Sequence, residues 1–249
     1  MARSRTTSVT TSGSKSSVST ITVSQALAAF AATPNMAAVT IADSSANIRN
    51  GLDALDLLAK AGRIKSIVLT DTSALSISYG QLLDDATVIA LLPTGVNLAV
   101  TAVTVAQAAG VQANAKVKSF TVVDSTAAVS ASLDTLNADG KLTAVMLTDG
   151  TVLPVTYIQY VNDRSVLGKL AKGTTYAVAD VPAAKASRLQ SSRTVAAFSV
   201  TDTVANTIAY TTALNAASKL SGVTVSGTAA AVAAKLGPLS AVKALASMA

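Results

Sequence analysis

Short runs of β-branched and aliphatic residues alternate along the chain with longer stretches in which apolar side chains return every three or four positions. The first kind of run, VTIAD at 39–43, IKSIVL at 64–69, FTVVD at 120–124 and LTAVML at 142–147, marks a buried strand. The second fits an amphipathic helix: Ile48, Leu52 and Leu55 stand at i, i+4 and i+7, and Val129, Leu133 and Leu136 repeat the stripe at a constant offset of 81. Three blocks, 39–71, 120–150 and 198–225, carry a strand run and then a helical run in that order. In the third, Thr207 and Thr211 stand where the stripe expects apolar residues.

The punctuation between runs is regular. Strand runs end in an aspartate followed by a small residue at Asp43, Asp71, Asp124, Asp149, Asp180 and Asp202, and two more strand ends, near Ala102 and Ser226, keep the pattern without the acid. Counting Ala102, the intervals are 28, 31, 22 and then 25, 31, 22, a three-part super-repeat whose period is 81 and then 78. Asp71, Leu75, Tyr79, Gln81, Asp85 and Val88 map at a constant offset of 78 onto Asp149, Leu153, Tyr157, Gln159, Asp163 and Val166. The 31-residue intervals carry an extra run, LSIS at 75–78 and LPVT at 153–156, which predicts a second strand before the helix. Self-similarity at this period is the mark of stacked repeats. The predicted fold is therefore α/β: an elongated solenoid of about eight strand–helix coils over residues 39–236, with a parallel β-sheet along its length. Residues 1–22 form a Ser/Thr-rich tail, 23–38 a capping helix and turn, and 237–249 a C-terminal helical segment.

Composition narrows the chemistry. The chain is 50% hydrophobic but only 3% aromatic, so its core is built from Val, Ile, Leu and Ala. It has no Cys, His or Trp, and all 13 acidic residues are Asp. Disulfides, thiolate metal sites, the commonest zinc ligand and the commonest general base are thereby absent, which argues against an enzyme. A net charge of +6 with so few rings to stack on bases argues against nucleic acid as a partner. Residues 86–115 carry no charge, yet Pro93, Gly95, Asn97, Gln107, Gly110, Gln112 and Asn114 interrupt them, so no transmembrane helix is predicted. The Ser/Thr-rich tail lacks the basic stub and apolar run of a cleaved signal peptide. At its end SVSTITV, positions 17–23, alternates as a strand does, and such a segment can add to a neighbouring copy's sheet.

No catalytic residue or cofactor is predicted. The six strand-end aspartates read as N-caps of the helices that follow them; the sharper alternative is a ladder of carboxylates holding calcium between coils. Tyr79, Gln81 and Asp85 with their copies Tyr157, Gln159 and Asp163 read as structural because they are copied. Asp84 and Asp85 are the one adjacent acid pair, and Asn162 replaces the first acid in the copy. Lys185, Arg188 and Arg193 cluster after Asp180 as a solvated basic face or an anion-contacting surface.

The pattern VxD-[ST]-xxx-I-xxx-LDAL, with I-xx-I-x-LTD after it, is carried here by VTIADSSANIRNGLDAL and IKSIVLTD and resembles repeat units of large secreted surface proteins of Gram-negative bacteria. The likeness extends over residues 39–225. It implies an extracellular or cell-surface protein exported without a cleaved N-terminal signal, and it assigns no functional residue. The expectation is a self-assembling surface-layer or filament subunit that polymerises through its ends and tail; the alternative is an adhesin-like module binding a glycan, a lipid headgroup or a host surface. A cell-surface polysaccharide is a further expected partner.

Overall fold

A computed structural model describes residues 20–248. The protein divides into two compact units, Met1–Leu98 and Ala99–Ala249. It is α/β, and its strands fall in parallel sheets of three, four and five strands. In the first unit β1 (Thr20–Ile21), β2 (Val39–Asp43) and β3 (Ile64–Leu69) lie side by side in that order, and β4 (Leu75–Ser78) follows β3 after a turn. In the second, β5 (Leu98–Val103), β6 (Val117–Asp124) and β7 (Leu142–Leu147) lie in order. They are followed by a sheet of β8 (Val152–Thr156), β9 (Thr175–Val181), β10 (Val195–Thr203), β11 (Leu220–Ser226) and β12 (Leu245–Met248), again in sequence order.

Parallel neighbours need a crossover, and a short helical segment supplies one after nearly every strand. Inward residues stack across each ladder: Ile41 lies beside Ile21 and Ile67, Val122 beside Val145, and Val200 beside Val223. The helical stripe closes over them, with Ile48, Leu52 and Leu55 buried in the first unit and Val129, Leu133 and Leu136 in the second. Where one continuous helix per crossover fits the stripe, the protein has two short ones, broken at Gly51, Ser132 and Tyr210, three positions related by the super-repeat offsets. At Gly51 the break needs a glycine, because a Cβ there would lie 2.6 Å from a methyl of Val23.

Three sequence expectations are corrected. The sheet is not one ladder. After β7, residues 148–151 leave the strand, and β8 then pairs with β9, while among the described residues the free side of β7 is met by a single bridge from Val145 to Leu170. The extra run in the 31-residue repeat thus starts a new sheet. Residues 237–249 are not a helical segment: after the helix Leu236–Leu239 the chain forms β12, parallel to β11, with Leu245 beside Val223. A run of Ala and Ser has little apolar stripe to bury as a helix, whereas the edge of β11 offers unpaired backbone groups. Finally, Thr20 and Ile21, expected to pair with another copy, pair with Thr40 and Ile41 of their own chain. The rest of the tail, residues 1–19, lies outside the described residues.

Thr207 occupies the position of Ile48 and Val129 and is 0% exposed, and its hydroxyl has no hydrogen-bond partner. Desolvating an unpaired hydroxyl costs about 1–3 kcal/mol. Thr207→Val keeps the shape and removes the polar atom, so it is expected to raise the melting temperature by about 2–4 °C per kcal/mol recovered. Calorimetry showing a fall instead would mean that the hydroxyl is satisfied in solution.

Candidate functional site

The strand-end aspartates were expected to cap the helices that follow them. That place is taken by the next residue: Ser44, Ser125 and Thr203 are the N-caps, each accepting from the N–H three positions on. The carboxylate reaches instead into the preceding repeat. Asp43 accepts from the backbone N–H of Val23, Asp124 from Val105 and Asp202 from Ala183, all at 2.9 Å, and each donor opens the helical segment one repeat earlier. Asp71 and Asp149 do the same to Ser45 and Thr126, taking both the N–H, at 3.0 and 2.7 Å, and the hydroxyl. The other oxygen of Asp43, Asp124 and Asp202 accepts from the N–H of its own next residue at 2.8, 2.8 and 2.7 Å. Burial works to raise the Asp43 and Asp202 carboxyls, but bonds from Asn47 and Asn206 and from these backbone donors hold both below the ordinary value. The Ser45 hydroxyl and N–H hold Asp71 low as well.

Asp180 does not belong to this set. It sits at φ 57°, as its counterpart one super-repeat earlier, Ala102, sits at φ 55°, and it accepts from the Thr201 hydroxyl at 3.0 Å. Among the described residues no group of three or more acids is placed to hold a metal ion.

A second set of carboxyls was missed because its members lie far apart in sequence. Asp85, at the joint between the helices Tyr79–Asp84 and Ala86–Ala90, is buried and meets Asp53 in the first turn of Leu52–Lys60. Burial first, then the charge and hydrogen bonding of Asp53, push Asp85 up to about 6. Asp163 is pushed up to about 6 in the same way, by burial and by Asp134. Asp53 maps onto Asp134, and Asp85 onto Asp163, at the two super-repeat offsets, so the repeat itself was the signal that would have found the pairs. Asp56, beside the first pair, stays low despite its burial, through Lys60 at 2.6 Å and the N–H of Val88. The adjacent Asp84–Asp85 is thus not the working pair. Gln81 and Gln159 close capping boxes on Ser78 and Thr156.

The third feature is a cleft of about 550 Å³ in the second unit, lined by Tyr160, Arg164, Leu167, Tyr176, Arg188 and Ser192 among others. The two Tyr rings meet edge to face at 5.6 Å. The phenol of Tyr176 donates to the Leu167 carbonyl at 3.2 Å, and the Tyr160 phenol lies 3.4 Å from the Ser192 hydroxyl. Of the predicted basic cluster only Arg188 reaches this cleft; Lys185 and Arg193 do not line it. No family model, curated protein or solved structure matches the chain.

Two measurements check these roles. Asp124→Ala strips the acceptor from the N–H groups of Val105 and Ser125 and is expected to cost about 0.5–2 kcal/mol in urea unfolding. The acid pairs act with the opposite sign to the caps. A carboxyl raised from 3.8 to about 6 holds a proton in the folded state that the unfolded chain has released, so its stabilisation is lost as pH rises through that window. The lowered carboxyls lose theirs only below the unfolded value of 3.8. The melting temperature is therefore expected to be higher near pH 5 than near pH 7.5, by about 2–4 °C per kcal/mol, and this slope is expected to shrink in an Asp85→Asn, Asp163→Asn double variant, leaving the part that belongs to Asp139, which burial also raises. A slope unchanged in the variant assigns it to other groups.

Proposed function

We propose that the protein is a structural, self-assembling subunit of an extracellular or cell-surface layer or filament, built as a solenoid of strand–helix coils. The observation that carries this reading is the set of carboxylate bonds between successive repeats. Asp43, Asp71, Asp124, Asp149 and Asp202 each complete a helix that belongs to the repeat before them. A repeat that is finished by its successor is an additive element, and a further repeat adds by the same contacts whether it comes from the same chain or another. β12 has one strand neighbour among the described residues, which leaves an edge of the kind that takes up a strand. A lattice or filament subunit needs such reproducible contacts more than it needs reactive groups, and the absence of Cys and His agrees with that. Cell-surface placement rests on the resemblance of VTIADSSANIRNGLDAL and IKSIVLTD to secreted repeats.

Electron microscopy of the purified protein, with and without a chelator, tests the reading. Ordered filaments or sheets are expected. A protein that stays monomeric with the chelator and with added calcium overturns the proposal; order only with calcium brings the cation into the contact.

A further inference from the structure

The cleft around Tyr160, unlike the carboxylate caps and the acid pairs, is not copied. At the 78-residue offset, Tyr160, Arg164, Tyr176, Arg188 and Ser191 correspond to Leu82, Ala86, Leu98, Gly110 and Ala113. Five aliphatic or small positions have become two phenols, two guanidiniums and a hydroxyl, all lining one cavity. The two phenols pack on each other and Tyr176 bonds the Leu167 carbonyl, but the two guanidiniums meet no acid among the described residues, and the aliphatic set serves the earlier super-repeat without them. We propose that this cleft binds one acidic sugar unit of an anionic glycan, a pyranose ring bearing a carboxylate.

Its chemistry specifies that class. Arg164 donates through Nε to the Val161 carbonyl at 3.2 Å, which orients its fork. Neither Arg164 nor Arg188 has a carboxylate partner among the described residues, and no acid lines the cleft. An unpaired guanidinium at a concave site fits a planar carboxylate through two parallel bonds. Half-buried Tyr160 and buried Tyr176, with Leu167 and Leu189, give the apolar floor on which the C–H face of a sugar ring packs. Ser191, Ser192 and Thr194 add hydroxyls that both donate and accept, as sugar hydroxyls require. A bare phosphate has no use for the rings, and a neutral sugar none for the two cations. The volume, about 550 Å³, falls within the range of small-molecule sites, roughly 300–1,000 Å³.

The test is calorimetric titration of the full chain with trigalacturonate, with maltotriose as the neutral probe and inorganic phosphate as the bare anion. Trigalacturonate is expected to bind and maltotriose not to. Arg164→Ala, Arg188→Ala and Tyr160→Ala are each expected to weaken binding by about tenfold or more, the two exposed arginines with melting temperature unchanged. Arg164→Lys, which keeps the charge but loses the fork, is expected to weaken it too and stands in if the alanine variant does not fold. Lys185→Ala and Arg193→Ala lie outside the cleft and are expected to change nothing. The proposal is overturned if those two weaken binding as much as the cleft variants, which means diffuse charge attraction. It is equally overturned if phosphate displaces the sugar at equal concentration, or if trigalacturonate does not bind. None of these outcomes bears on assembly, which is read by microscopy alone.

Discussion

Each helix here is too short to stand without its neighbour. None of the described helices is longer than Val23–Ala32, and many, such as Ser45–Asn50 and Arg164–Leu167, span little more than one turn, while any α-helix leaves its first four N–H groups without an internal partner. In a helix the length of Ser45–Asn50 that is most of the donors. Isolated helices so short do not form in water, so their ends must be completed from outside. At Thr22, Ser44 and Ser125 the N-cap hydroxyl serves the N–H three positions on, and a carboxylate from the next repeat serves the first. Of the two donors that remain, the N–H of the N-cap itself is met in one of two ways at seven of the caps. In Ser44, Ser125 and Thr203 the preceding aspartate takes it; in Thr22, Ser78, Thr104 and Thr156 a glutamine three positions later does. No cap uses both.

The far ends of the helices follow the same logic with reversed charge. Arg63 donates to the Met36 carbonyl, Lys141 to those of Gln112 and Asn114, and Lys219 to that of Ser192. The three cations recur at the 78-residue offset, and each satisfies carbonyls at the C-terminal side of a helix in the preceding repeat, where the helix dipole favours positive charge. Acid at one end and base at the other thus complete three helical segments, those opening at Val23, Val105 and Ala183, and join each to the repeat that follows it. The third repeat of each super-repeat departs from this. Its strand ends in a left-handed residue, Ala102 or Asp180, and the side chain at that position turns away from the capping role.

Much of this was legible in the residues. The strand runs, the Ile48–Leu52–Leu55 stripe, its copy and the extra strands of the 31-residue repeats all lie where periodicity places them, because period and branching are local properties. The direction of the Asp bonds was not legible: an acid at a strand end stands beside two helix N-termini, its own and its predecessor's, and spacing cannot choose between them. The Asp53–Asp85 pairing joins helices on either side of two strands, a long-range contact visible only through its copy. β12 escaped because Ala and Ser carry weak preferences that the open edge of β11 overrides. The glutamine boxes, by contrast, stood in plain view as Thr-x-x-Gln and Ser-x-x-Gln.

Repetition also supplies a criterion that a single sequence otherwise lacks. A side chain that recurs at the offset is kept by a requirement that recurs, and between successive strand–helix repeats in one sheet that requirement is packing. The carboxyl pairs, chemically the most reactive-looking groups in the protein, recur, and a buried carboxyl raised by an acid of the neighbouring repeat is a packing contact before it is anything else. The Tyr160–Arg188 cleft does not recur. Its rings and guanidiniums replace Leu, Ala and Gly at the matching positions of the earlier super-repeat, so the requirement that places them there is not the one the two super-repeats share.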